Sequence, residues 1–381
     1  MGSIMLSQTG RLHSFVRSID RLGGRLLRFR KRFVQYPQKL NRIILISIDS
    51  IRNVLYCIPA LQLLKDSFPG AEIDFVTWEW AEPLLRKHRA IHEVFTYNPD
   101  WYIRSHHYHE APSHHGLFSI SWEFRRLEYD VLIVFQSDLR LLVMAGISGA
   151  PFRIGYNRMS EGLLLTHAVS DIEGMPSHLH HLRLLEPLGI KPCFISPELV
   201  PPPEDIASTH SILAGLAPDR KIIVIHPGGA KNGNPWPLES LIRTCRGLTD
   251  DGHQILVIAD PMETGLLTEL SKQLTPGMIQ IWNYPTIGET MALARKTDLF
   301  IGLDSGAGYV FAVMNTPTII LTGTRSPRDS FLGSNVTFAL PDQSCPGCRL
   351  ETPEIHMPCT CVELIQAEQI VNMARQAFGY R

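Results

Sequence analysis

Arg42-Ile43-Ile44-Leu45-Ile46-Ser47 runs into the loop Ile48-Asp49-Ser50-Ile51-Arg52-Asn53 and then into Val54-Leu55-Tyr56-Cys57-Ile58-Pro59-Ala60-Leu61. The first run is apolar without polar alternation, the pattern of a strand buried on both faces. The last run predicts a helix from about Asn53 to Ser67. The same unit recurs downstream as the strand Glu72-Ile73-Asp74-Phe75-Val76, a helix over 81–87 and the strand Glu93-Val94-Phe95. Tyr129-Asp130-Val131-Leu132-Ile133-Val134-Phe135 is the clearest strand of this half. The proline-rich stretch from Pro187 to Pro203 reads as a linker. Beyond it the series restarts with Lys221-Ile222-Ile223-Val224-Ile225 (strand), Leu238 to Leu248 (helix) and Gln254-Ile255-Leu256-Val257-Ile258 (strand). Asp298-Leu299-Phe300-Ile301-Gly302 and Thr318-Ile319-Ile320-Leu321 are later strands. Alternation of this kind predicts an α/β protein of two Rossmann-like halves, with a ligand cleft between them outside the carboxyl ends of the strands.

Composition agrees with that class. At 381 residues with 44% hydrophobic and 19% charged residues, the chain can bury two cores, which excludes a disordered or low-complexity protein. No apolar run reaches the length of a membrane span and the N-terminus lacks a signal-peptide core, so the expected location is cytoplasmic. Seven Cys are too few for a disulfide scaffold. The net charge of −1 conceals an asymmetry: residues 1–42 hold ten Arg or Lys against the single acid Asp20, a balance of +9. Leu12, Phe15, Val16, Ile19, Leu22, Leu26 and Phe33 fall near a helical period there, with Arg on the other faces. Residues 1–41 therefore read as a basic amphipathic helical arm, interrupted at Gly23-Gly24. It suits an anionic membrane interface, or packing on the protein's own acidic body or on a partner subunit. No nucleic-acid partner is expected, because the acidic remainder offers no second phosphate-tracking surface.

Two turns of the second half carry chemistry. Ile225-His226-Pro227-Gly228-Gly229-Ala230 ends a strand, and Gly302-Leu303-Asp304-Ser305-Gly306-Ala307-Gly308-Tyr309 joins a strand to a helix. A small-residue turn at a helix N-terminus presents backbone N–H groups and a positive dipole end to an anion such as a diphosphate. Ordinary strand-to-helix turns with Asp304 or Ser305 as N-cap have the same composition. Taken with the first loop, with Gly149-Ala150-Pro151-Phe152-Arg153-Ile154-Gly155-Tyr156 and with His181 to Gly189, these motifs resemble the ADP-heptose:lipopolysaccharide heptosyltransferase family over roughly residues 42–375. Those are inverting glycosyltransferases of the GT-B fold.

The resemblance implies an acceptor domain over 42–200, a nucleotide-sugar domain over 201–344, and a Cys-rich finger with a terminal helix over 345–381. It places Asp304, Ser305, Gly306 and Ala307 at the donor diphosphate, assisted by Gly228 and Gly229, and Glu263 at the nucleoside. Three positions depart from the family pattern. Its Gly-Asp, whose Asp is the expected base, is Arg52-Asn53 here, and an amide cannot take a proton from a hydroxyl. Asp49 in the same loop is the substitute candidate for the base, with a turn or N-cap acid as the alternative reading. The family's His after the Asp-Ser-Gly motif is Tyr309, which still carries a donor. Its Lys before the helix-opening Trp is Asn234, leaving Lys231, Arg325 or Arg328 to supply the charge. Arg52 and Asn53 are candidates for a donor phosphate or the acceptor.

Two further clusters stand out. Cys345-Pro346-Gly347-Cys348 and Cys359-Thr360-Cys361 can converge on a structural Zn or Fe, remain thiols, or form disulfides in air. Cys57, Cys193 and Cys245 read as buried small hydrophobes. Residues 101–115 hold Trp101, Tyr102, Tyr108 and five His, among them His106 and His107, and read as an acceptor-binding loop. The expected activity is metal-independent transfer of a sugar, heptose from ADP-heptose, to a hydroxyl of a lipid-linked saccharide or other large acceptor. The basic arm would hold the enzyme at the inner membrane face. The alternatives are another nucleotide sugar, a protein acceptor, or a non-catalytic nucleotide-sugar-binding protein.

Overall fold

The computed structural model describes residues 39–101, 103, 113, 116–157, 164–170, 172, 175–217, 219–228, 236–259, 264–273, 279–283, 285–323, 333–343 and 360–379. The chain divides into two compact units, Met1–Pro197 and Glu198–Arg381.

In the first unit the strands are β1 (Arg42–Ser47), β2 (Glu72–Thr77), β3 (Glu93–Thr96), β4 (Val131–Val134), β5 (Phe152–Asn157) and β6 (His167–Ser170). They form one sheet in the order β3-β2-β1-β4-β5-β6, and every pair is parallel. Its helices are α1 (Ile51–Ser67), α2 (Leu117–Arg126), α3 (Leu139–Ser148) and α4 (Ser177–Arg183). The second unit contains α5 (Pro203–Leu213), β7 (Ile222–His226), α6 (Leu238–Asp250), β8 (Gln254–Ala259), α7 (Thr264–Gln273) and β9 (Ile279–Asn283). It continues with α8 (Ile287–Ala294), β10 (Leu299–Leu303), α9 (Gly306–Val313), β11 (Thr318–Leu321), β12 (Val336–Ala339) and α10 (Ala367–Ala377). Its sheet is also all parallel, in the order β12-β11-β10-β7-β8-β9.

Both sheets thus repeat one doubly wound order, in which the first strand of each unit lies beside the fourth. At that pair the connections leave in opposite directions, and the loops at the strands' carboxyl ends open a crevice. The switch points are β1/β4 and β7/β10. The apolar runs follow from this architecture, since a sheet covered on both faces buries nearly every position of its central strands. In β7, Ile223 and Ile225 pack with Leu241, Cys245 and Leu248 of α6 and Ile370 of α10. Val224, between them, faces Leu293 of α8 and Phe311 of α9.

Several expectations are corrected. The helix predicted over 81–87 is a 3-10 turn, Glu79–Leu84, because Pro83 removes a backbone donor and the run is too short to propagate. Helix α1 starts at Ile51 rather than Asn53, so Arg52 and Asn53 lie in its first turn. Cys193 is exposed, within an extended segment free of regular structure, whereas Cys57 and Cys245 are buried. Burial pushes the Cys245 thiol up to about 12, and the Cys57 thiol is raised for the same reason. The arm (1–38) and His106, His107, Cys345, Cys348 and Cys359 lie outside the described residues. Cys361 is buried at the start of a 3-10 turn, Cys361–Leu364. Among the described residues no helix is long and apolar enough to cross a membrane.

Candidate functional site

At the first switch point β1 pairs with β4 in the register Ile46↔Val134, so the loops that follow emerge side by side. Asp49 and Gln136, 87 positions apart in sequence, meet there. The Gln136 side-chain amide donates to Asp49 Oδ2 at 3.1 Å and to the Ile48 carbonyl at 2.7 Å. Its oxygen accepts from the Ile48 N–H at 2.8 Å. Asp49 Oδ1 accepts from the Ser50 N–H at 2.6 Å, which fixes the other end of the half-buried carboxylate. Helix α1 has Ser50 at its N-cap, without a side-chain cap bond. Asp49 thus stands immediately before that N-cap, with its carboxylate turned to the Ser50 N–H and to Gln136. Arg52 and Asn53 follow it, half-buried in the first turn of α1. Gln136 was not singled out in the sequence. Its only signal was its place just past the clearest strand, which means nothing until that strand is known to lie beside β1.

The second switch point has the same construction. Gly302 of β10 pairs with His226 of β7, and a Cβ at position 302 would stand 2.9 Å from the His226 carbonyl oxygen. Only a glycine permits that approach. His226 Nδ1 then lies 3.2 Å from Ser305 Oγ. Ser305 is the N-cap of α9 and accepts from the Gly308 N–H at 3.4 Å. Gly306 and Ala307 open the helix, where no intrahelical carbonyl can reach the backbone N–H groups. Gly228, buried, stands two residues past the end of β7. The Trp236 N–H returns to the Pro227 carbonyl at 3.1 Å, closing the intervening loop at its base. The structure thus joins the 226–228 turn to the 304–307 turn. Asp304 is half-buried beside them, and Tyr309 is buried at 3% exposure within α9. Gly229, Lys231, Glu263 and the cations Arg325 and Arg328 lie outside the described residues.

A buried aromatic cluster stands in the first unit. Tyr156 of β5 and His181 of α4 meet at 2.5 Å between the phenol oxygen and Nδ1, with Phe135 packed edge-on against the imidazole. Burial, followed by the neighbouring His180 and His178, lowers His181 to about 3. His178 and His253 are lowered too, chiefly by burial. The folded state therefore resists protonation where the unfolded chain, at the ordinary value of 6.5, accepts it. Stability is full above pH 6.5 and declines as the pH falls towards 3. Linkage gives a loss of about 2 kcal/mol from His181 alone between pH 7 and pH 5. Urea titrations at the two pH values should show a loss about 2 kcal/mol larger in the wild type than in His181→Gln, in which His178 and His253 still contribute.

Residues 118–345 match the model of glycosyltransferase family 9 (heptosyltransferase). Lipopolysaccharide heptosyltransferase 3 of Escherichia coli is 21% identical over 279 residues, spanning 71% of this chain and 80% of that protein. The crystal structure of the glycosyl transferase family 9 from Veillonella parvula superposes with a TM-score of 0.73 at 17% identity, covering 90% of this chain and 99% of that one. The E. coli heptosyltransferase WaaC with ADP-2-deoxy-2-fluoro heptose gives a TM-score of 0.64 at 17% identity, with 88% and 99% covered.

Proposed function

The chain belongs to glycosyltransferase family 9 (heptosyltransferase), and on that premise we propose that it transfers heptose from ADP-heptose to a hydroxyl of a lipid-linked saccharide without a catalytic metal. The observation that carries this reading is the 3.2 Å contact between His226 and Ser305, which couples the two small-residue turns at the β7/β10 switch point. A diphosphate there would meet the first-turn N–H groups of Gly306 and Ala307 and the positive end of the α9 dipole. The Ser305 hydroxyl is engaged with His226 and Gly308, so backbone donors carry the main part of the contact. Gly228 and Gly229 allow close approach, and Lys231 would add charge. Glu263 would accept from the ribose, and Asp304 and Tyr309 would shape the turn.

In an inverting transfer the acceptor oxygen attacks the anomeric carbon as the bond to the diphosphate breaks. The hydroxyl proton goes to a base, and the bonding pair leaves with ADP. Asp49, held at both oxygens, is the base in this reading. Arg52, Asn53 and the loop bearing His106 and His107 would bind the acceptor or a phosphate. The amide at Asn53, where the family pattern has a carboxylate, favours a second reading, a nucleotide-sugar binder without turnover. Thermal shift against ADP-, UDP-, GDP- and dTDP-sugars separates the possibilities, since a ligand bound only by the folded state raises Tm. Stabilisation by ADP-heptose and ADP alone, with slow ADP release, is expected. Preference for another nucleotide would overturn the donor assignment. Stabilisation without any ADP release would favour the binder.

A further inference from the structure

Helix α2 (Leu117–Arg126) buries Ile120, Ser121 and Phe124 and packs on α3, with the Phe124 ring edge-on to Phe95 of β3, as an amphipathic helix should. Its outward face is unusual. Phe118 and Trp122, one turn apart, are 72% and 60% exposed. Successive residues turn by about 100°, so the outer arc reads Arg125, Phe118, Trp122, Arg126, Ser119, Glu123 in angular order. The two aromatic rings thus form one ridge with a guanidinium on each side, and the single acid lies at the far edge. Arg125 is held in this position. Its Nη1 donates to the Ile147 carbonyl at 3.3 Å, and its Cζ lies 5.6 Å from the centre of the Trp122 ring.

We propose that this face docks on an anionic lipid surface, with Phe118 and Trp122 inserted at headgroup depth and Arg125 and Arg126 paired with lipid phosphates. Isolated exposed apolar residues are common, but a ridge of two large rings that each leave most of their surface in water asks for a cover. Trp and Phe between Arg side chains match the layered chemistry of a bilayer interface, apolar below and charged at the headgroups. Charge argues against the other occupants. A second copy placed face to face would oppose Arg125 and Arg126 to their own equivalents. The segment 1–42, at +9 by sequence, is repelled by the same pair. That segment would instead give the membrane a second cationic contact, adding to the attraction of Arg125 and Arg126 for anionic headgroups. The inference deepens the proposed function, resting on it for the lipid-linked acceptor, but its test reads binding rather than transfer.

The experiment is flotation of the full chain with vesicles of phosphatidylcholine alone or mixed with phosphatidylglycerol. Wild type should float only with the anionic mixture and be released by high salt. Phe118→Ala/Trp122→Ala should lower partitioning about tenfold or more, and Arg125→Ala/Arg126→Ala by a similar factor at low salt. Trp122→Phe should retain most of it. Because Phe118 and Trp122 are exposed, that double variant should keep the wild-type Tm and its shift with ADP, so a failure here is distinct from a failure of the donor reading. Unchanged flotation of both double variants would overturn the proposal. So would a wild-type dimer that the aromatic variant converts to monomer, which would identify the cover as a second copy.

Discussion

Sugar transfer by Asp49→Ala is expected to fall by about three orders of magnitude while the Tm shift with ADP stays at the wild-type value. The reasoning is positional. Among the candidates in the 47–53 loop, Asp49 carries the one side chain able to accept the acceptor's proton, since Asn53 is an amide and Arg52 a permanent cation. Its carboxylate is held from two sides, by the Ser50 N–H at 2.6 Å and by Gln136 at 3.1 Å. Gln136→Leu should cost about tenfold in kcat with little change in KM, because it loosens the carboxylate without removing it. Asn53→Ala should cost less than Asp49→Ala. Full activity in Asp49→Ala would eliminate it as the base. Loss of the ADP shift in the same variant would mean that the change damages folding or donor binding.

The second large effect is on stability. Asp74 of β2 is fully buried, and three side chains converge on its carboxylate: the Tyr129 hydroxyl at 2.6 Å, His92 Nδ1 at 2.8 Å and Arg42 Nη2 at 3.3 Å. Arg42 also stacks over the Tyr129 ring at 5.1 Å. Burial and the adjacent carboxylate both push the Tyr129 phenol up, so it stays a donor throughout the physiological range. Removing the acid strands the phenol and weakens the tie between β1, β2 and the turn before β4. Asp74→Ala should cost about 3 kcal/mol, the lower end for a broken buried pair, because Arg42 and His92 can turn partly to water. Asp74→Asn, which still accepts from Tyr129, should cost about half as much. Urea denaturation with hydrogen exchange at β1 and β2 measures this directly, and ADP binding should be unaffected. A cost below about 1 kcal/mol would show that the cluster is replaceable by water.

Much of the architecture was legible in the chain. Buried parallel strands show as apolar runs rich in Ile, Leu and Val, and β1, β4, β7, β8, β10 and β11 all carry that pattern. Strands β5, β6, β9 and β12 were not read from it. Strand β5 is interior, but Arg153 and Gly155 interrupt its apolar residues. The other three lie at the edges of their sheets, and His167–Ser170 and Val336–Ala339 have four residues with one buried position apiece. An edge strand half open to water has no continuous apolar run to notice. The helix expected over 81–87 failed for a local reason, since Pro83 carried more weight than the surrounding apolar residues.

The small-residue turn at 304–307 and the Gly228 turn were visible because their composition answers a local need, a tight strand-to-helix turn that small residues make readily. The pairing of Asp49 with Gln136 and of His226 with Ser305 was not. Local hydrophobic order and turn chemistry decide which segments become strands, helices and tight turns, and these follow from neighbours in the chain. Which loops then stand side by side depends on strand order. In a doubly wound sheet the first strand lies beside the fourth, across 87 residues in one unit and 79 in the other. Only the packing of helices on both faces of each sheet selects that order.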